Sequence, residues 1–169
     1  MPYPDKNGAP RIDAMDRLTE PRSGPRPLFA RDDAVGVQRG PHAGARIMIV
    51  EDDYLVASEI ESALADAGYE IVGVAASAAE ALDIAAARHP ILAVMDIRLV
   101  GPRDGIDVAL ELFGTHGIRC IFASAHQYPE ARERARPAAP LGWVPKPYTM
   151  QSLLEVVRRA VSDLLRERN

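Results

Sequence analysis

From Arg46 to the end of the chain, short apolar runs alternate with longer stretches of helical periodicity. The runs "RIMIV", "YEIVGVA", "ILAVM", "IRCIFA" and "LGWV" are too short for buried helices and read as strands. The stretches between them read as helices. "YLVASEIESALADAG" places Val56, Ile60, Leu64 and Ala67 on one face, with Gly68 as its stop. "SAAEALDIAAARHP" opens on a Ser77/Glu80 capping box and stops at Pro90. "DGIDVALELFGTHG" is a third helix, and "YPEARERAR" a short fourth that Pro137 terminates. "TMQSLLEVVRRAVSDLLRER" closes the chain with Leu154, Val157, Val161 and Leu164 on one face. Parallel neighbours need crossover helices, and crossovers are right-handed. Five strands alternating with five helices therefore imply an α/β domain: a doubly wound, five-stranded parallel sheet covered on both faces.

The preceding stretch has a different character. The first 45 residues carry seven of the 14 prolines and five of the 12 glycines, with seven basic and six acidic residues interspersed. Such a composition buries too little apolar surface to offset chain entropy. We read residues 1–44 as an N-terminal arm and residues 45–169 as the domain. Within the arm, "RIDAMDRLTE" spaces Ile12, Met15 and Leu18 as one helical stripe, but ten residues make no stable free helix. A solvated tail and a partner-binding segment both stay open.

Several function classes are disfavoured. A single cysteine, Cys120, permits no internal disulfide; within "IRCIFAS" it reads as a small buried hydrophobe, and a reducing cytoplasm is the expected location. No apolar stretch reaches the roughly 20 residues of a membrane helix, and the N-terminus has no signal-peptide core. A net charge of −4 argues against nucleic acid as the main partner.

In open α/β sheets, ligands bind beyond the carboxyl ends of the strands. The first strand delivers Glu51, Asp52 and Asp53 there, the third Asp96, the fourth Ser124 and the fifth Lys146. Each has a local alternative: the aspartates can cap helices, the serine can close a turn, the lysine can be solvated surface. Their convergence on one sheet edge favours a common role. Clustered carboxylates repel unless a cation sits among them, and hard oxygen ligands with room for water and phosphate suit Mg²⁺. A carboxylate flanked by metal, lysine and hydroxyl can attack phosphorus and form an aspartyl phosphate.

The motifs "MIVEDD", "VMDIRL", "FASA" and "PKPY", in this order and at these separations, resemble the receiver domain of bacterial two-component response regulators from about Arg46 onward. The resemblance implies a flavodoxin-like fold with sheet order 2-1-3-4-5. It implies that Asp96 accepts phosphate from a histidine kinase. Glu51 and Asp52 would be the acidic pair and Asp53 a helix cap. Mg²⁺ would be held by Asp52, Asp96 and the backbone carbonyl of Arg98. Ser124 would be the switch hydroxyl, Lys146 the phosphate-binding lysine, and Lys146–Pro147 a cis bond. Trp143 stands where the family usually has Tyr or Phe. "FASAHQYPEARERARPAAPLGW" is further similar to stand-alone alphaproteobacterial regulators whose fourth strand ends in Phe-Ala-Thr, with Ser124 in place of that Thr. "GPRDG" departs from the family's Pro-x-Met-Asp-Gly loop. "PAAPLGW" departs before the fifth strand, where Pro137 and Pro140 shorten or loosen the fourth helix.

The expected partners are a sensor histidine kinase or phosphotransfer protein and an unidentified downstream protein, with no nucleic acid and no membrane; a homodimer stays open. With 22 residues after Pro147, no DNA-binding output is expected, so the signal leaves by protein contact or the domain drains phosphate from a shared kinase. It would be no enzyme beyond its own phosphorylation and dephosphorylation. An Asp-nucleophile phosphatase of the haloacid dehalogenase type would need a second aspartate where Arg98 stands. A nucleotide- or flavin-binding module would need a glycine-rich loop where "EDDY" stands. His42, His89, His116 and His126 have no metal-site spacing, and Arg158, Arg159, Arg166 and Arg168 suit a helix C-terminus.

Overall fold

The structure, a computed structural model, describes residues 42–125 and 129–168. The arm's Ile12, Met15 and Leu18, and also His126, lie outside them. Five strands, β1 (Arg46–Val50), β2 (Glu70–Ala75), β3 (Leu92–Met95), β4 (Arg119–Ser124) and β5 (Gly142–Pro145), pair in parallel in the order β2-β1-β3-β4-β5. The helices are α1 (Tyr54–Asp66), α2 (Ala78–Arg88), α3 (Gly105–His116), α4 (Pro129–Ala135) and α5 (Met150–Glu167).

The strands are apolar throughout because both sheet faces are covered. Alternate residues serve opposite layers. Met48, Val50, Ala93, Met95, Cys120 and Phe122 face the α2–α3–α4 side, where Ile106, Ala109 and Leu112 complete the core. Ile47, Ile49, Leu92, Val94, Ile121 and Ala123 face α1 and α5, against Ile60, Leu64, Leu153 and Val157. Truncating a fully buried Leu112 or Leu153 to Ala costs about 2–5 kcal/mol. Among the described residues no helix is long and apolar enough to cross a membrane.

Local structure departs from the sequence reading in five places. The buried stripe of α1 is Ala57, Ile60 and Leu64, while Ala67 is its exposed C-cap. In α5 the buried face begins at Leu153 rather than Leu154, which packs only partly, and continues through Val157, Ala160 and Val161. Glu80 accepts from the amide of Ala76 at 2.8 Å instead of returning to Ser77, so the capping box is half formed. Pro137 does not simply end α4: the chain continues through a 3-10 turn, Arg136–Ala138, where proline fits because the first turn needs no amide donor. His42, in the stretch read as the arm, has its Nε2 2.8 Å from Ser162 Oγ on α5.

Candidate functional site

The acidic cluster is assembled by backbone pairing at the carboxyl edge of the sheet. Val50 pairs with Met95, so β1 and β3 end side by side and their next residues leave together. The amide of Asp96 donates to Val50 O at 2.8 Å, and that of Glu51 to Ala75 O at 2.9 Å. Glu51 and Asp96 are thereby held at the rim, 4% and 8% exposed, while Asp52 is open to solvent. Carboxylate oxygens of Glu51, Asp52 and Asp96 lie within 4.8 Å of one another. Asp53 is not part of the cluster: its Oδ1 accepts from Leu55 N at 2.9 Å and Val56 N at 3.2 Å and caps α1.

Lys146 compensates the charge. Its amide is anchored to Ser124 O at 3.3 Å, its peptide to Pro147 is cis, and its Nζ donates to Glu51 Oε2 and Asp96 Oδ2 at 2.7 Å each. The remaining oxygens are partly used: Asp96 Oδ1 accepts from Arg98 N at 3.2 Å and Glu51 Oε1 from Asp53 N at 3.3 Å. Burial raises the proton affinity of Glu51, with the negative charge of Asp96 adding to it, and Lys146 does not fully reverse this. Burial works against the Lys146 ammonium, yet its bonds to Asp96 and Glu51 outweigh that and hold its pKa above the usual lysine range.

The other expected residues surround this core. Ser124 ends β4 and is buried. Trp143, opposite Phe122 in the β4–β5 register, stacks on that ring with centroids 4.5 Å apart at 30°. The Arg132 guanidinium of α4 lies 4.8 Å from the indole centre. The Arg98 side chain is exposed and lines a cleft of about 530 Å³ between the loop after β3 and α4.

Two features carried no signal in the sequence. Arg134 of α4 reaches Asp104 and Asp107 at the start of α3, at 2.6 and 3.0 Å, across about thirty residues of chain. Gly105 is also required: a Cβ there would collide with the carbonyl of Asp96, and its amide donates to Ile97 O at 2.7 Å. The loop "GPRDG" is therefore closed by a capping box, Asp104 with Asp107.

The donor set fits a small divalent cation. All the groups are hard oxygens, their ligand atoms lie within 4.8 Å of one another, and one residue, Asp52, is exposed for access.

Residues 47–158 match the response regulator receiver domain. The chain is 33% identical over 117 residues to the transcriptional regulatory protein PdtaR of Mycobacterium tuberculosis, a match covering 69% of this chain and 57% of that protein. It is 28% identical over 130 residues to the phyllosphere-induced regulator PhyR of Methylorubrum extorquens, covering 76% of this chain and 48% of the relative. These matches thus span about half the length of the curated relatives. Among solved structures, the signal receiver domain of a modulated diguanylate cyclase from Desulfovibrio desulfuricans G20 superposes with a TM-score of 0.66 at 30% identity, covering 72% of this chain and 97% of that one. Sheet order, acidic edge and sequence agree, and the chain belongs to the response regulator receiver domain family.

Proposed function

We propose that Asp96 accepts a phosphoryl group from a histidine kinase or phosphotransfer protein, and that the phosphorylated domain signals by contact with another protein. The observation that carries this reading is the convergence of Glu51 and Asp96 on one lysine, 2.7 Å from each, at the carboxyl edge of a parallel sheet. Asp52, Asp96 and the backbone carbonyl of Arg98 would hold Mg²⁺, with Glu51 completing the acidic set. When bound, Mg²⁺ supplies neutralisation of the phosphoryl oxygens.

The chain's own residues do the rest. A carboxylate oxygen of Asp96 attacks phosphorus; the O–P bond forms as the donor's P–N bond breaks, and the electron pair stays on the departing imidazole nitrogen. Lys146 turns its ammonium from the carboxylates to the incoming phosphoryl oxygens, and the Ser124 hydroxyl donates to them as charge accumulates. Arg98 stands where a dehalogenase-type phosphatase needs its acid–base aspartate, so hydrolytic turnover of a separate substrate has no proton donor at that position. We place the receiver at residues 45–169, with His42 and Gly44 as ties at its margin: Gly44 N donates to Gly68 O at 2.9 Å.

Incubation with acetyl phosphate and Mg²⁺ should add one phosphate by mass, and Asp96→Asn should abolish the addition. Uptake at the wild-type level in that variant overturns the assignment.

A further inference from the structure

α4 spans seven residues and buries only one of them, Ala135. Apolar packing so limited holds a helix weakly, and two arginines supply ties on either side. Arg132 lies over Trp143 of β5. Arg134 reaches the other way, to the first turn of α3.

The contact made by Arg134 is specific. Asp104 Oδ1, its partner at 2.6 Å, also accepts from the amides of Ile106 and Asp107 at 3.0 Å each. Asp107 receives Arg134 on Oδ1 at 3.0 Å and the amide of Asp104 on Oδ2 at 3.4 Å. The guanidinium is thus a third member of the capping box, and it neutralises two aspartates that would otherwise repel. The box in turn seats Gly105, whose amide donates to Ile97 O and whose lack of a Cβ leaves room for the Asp96 carbonyl. A short path of hydrogen bonds runs from α4 to the backbone of Ile97, and Gly105 sits against the Asp96 carbonyl beside it.

We infer that Arg134 is a positioning residue for the acceptor loop: through Asp104, Asp107 and Gly105 it fixes the backbone of residues 96 and 97 and couples α4 to events at Asp96. Its effect on phosphoryl transfer rests on the function proposed above. The coupling is reciprocal, because a contact that favours one loop position must itself be favoured by it. Arg103 is the internal control. It bonds Asp107 O and Glu111 Oε2, at 3.3 and 2.6 Å, within the same loop and helix, and does not bridge to α4.

Amide hydrogen exchange on the full chain without metal tests this, comparing wild type with Arg134→Ala, Arg134→Lys and Arg103→Ala. In Arg134→Ala the amides of Gly105, Ile106 and Asp107 should exchange about two- to fivefold faster relative to those of β3, the range expected of partly exposed ion pairs. Lysine should restore part of the protection, and Arg103→Ala should leave these amides near wild type. Phosphate uptake from acetyl phosphate with Mg²⁺ should slow in the same order. Unchanged exchange at Gly105–Asp107, or acceleration spread evenly over all strands, overturns the coupling. Local acceleration with wild-type uptake overturns the positioning role. If the wild type itself takes up no phosphate, the functional proposal fails while the exchange pattern still decides the loop coupling.

Discussion

Lys146 Nζ stands 2.7 Å from Asp96 Oδ2, although the two residues are 50 positions apart and follow non-adjacent strands, β5 and β3. The same ammonium lies 2.7 Å from Glu51. Without it, two buried carboxylates face each other with no cation between them.

Lys146→Ala should therefore destabilise the metal-free protein by about 1–3 kcal/mol, the cost of leaving a buried polar group unpaired. The folded pKa of Lys146 is raised above 10.5, so its contribution is fully present below that value and is lost only as pH rises through the higher folded value. Urea titrations should show a gap between variant and wild type that is constant through neutral pH, narrows in strong alkali as the ammonium loses its proton, and narrows in acid as Glu51 takes one up.

Glu51 has the opposite linkage. Its folded pKa lies above 4.5, chiefly through burial, so the folded state holds the proton more tightly than the unfolded chain. Stability then falls as pH rises from 4.5 through the folded value, and the ionised side chain costs stability at neutral pH. Glu51→Gln, whose amide oxygen still accepts from Lys146, should raise the metal-free melting temperature at neutral pH. The gain should shrink as pH falls through the folded value and be gone below 4.5. A gain that grows on acidification contradicts this account.

The neighbouring aspartates should separate cleanly. Asp53→Ala removes the cap of α1 and should cost about 0.5–2 kcal/mol with or without metal. Asp52→Asn removes an exposed charge from an acidic cluster, so metal-free stability should hold or rise while Mg²⁺ affinity drops. Calorimetric Mg²⁺ titration beside thermal melts of both variants distinguishes the two roles; identical behaviour of the pair would sink the division of labour.

Gly105→Ala forces a methyl group against the Asp96 carbonyl. Backbone cannot yield as a side-chain tip does, so a loss of about 1–3 kcal/mol is expected. Phosphate uptake should slow as well, because the displaced atom belongs to the proposed acceptor. Wild-type stability in this variant would mean that α3 can slide away from the loop without cost.

Trp143 should report phosphorylation. Its indole lies between Phe122 and Arg132, so it senses both the sheet and α4. A phosphoryl group adds about −1.5 to −2 charges at Asp96 and draws Ser124 and Lys146 inward. Emission should change saturably with acetyl phosphate and Mg²⁺, not at all in Asp96→Asn, and less in Ser124→Ala. A stoichiometrically phosphorylated sample with an unaltered spectrum would show that Trp143 is static core.

The strands and most helices are legible in the sequence because apolar periodicity and local stops such as Gly68 and Gly117 act within a few residues. The carboxylates are legible as strand endings for the same reason. The passage around Pro137 is less so, since proline is accepted in the first turn of a 3-10 segment as readily as it ends an α-helix. The choice between Leu153 and Leu154 depends on the rotation of α5 against the sheet, which neighbours set. The bridge from Arg134 to Asp104 and Asp107 joins two charged stretches that look solvated when read alone, and only the packing of α4 beside α3 brings them together.

Cys120 sits inside β4, 1% exposed, and burial pushes its thiol up to about 12. Since the thiolate is the nucleophile, an alkylating reagent at neutral pH reacts only with molecules whose sheet has come apart. The chain's single sulfhydryl is thus an internal clock. Where reclosing outpaces modification, its alkylation rate measures the population of open molecules, and with it the stability of the sheet in native buffer without denaturant. Phosphorylated and unphosphorylated samples can be timed in the same tube of reagent.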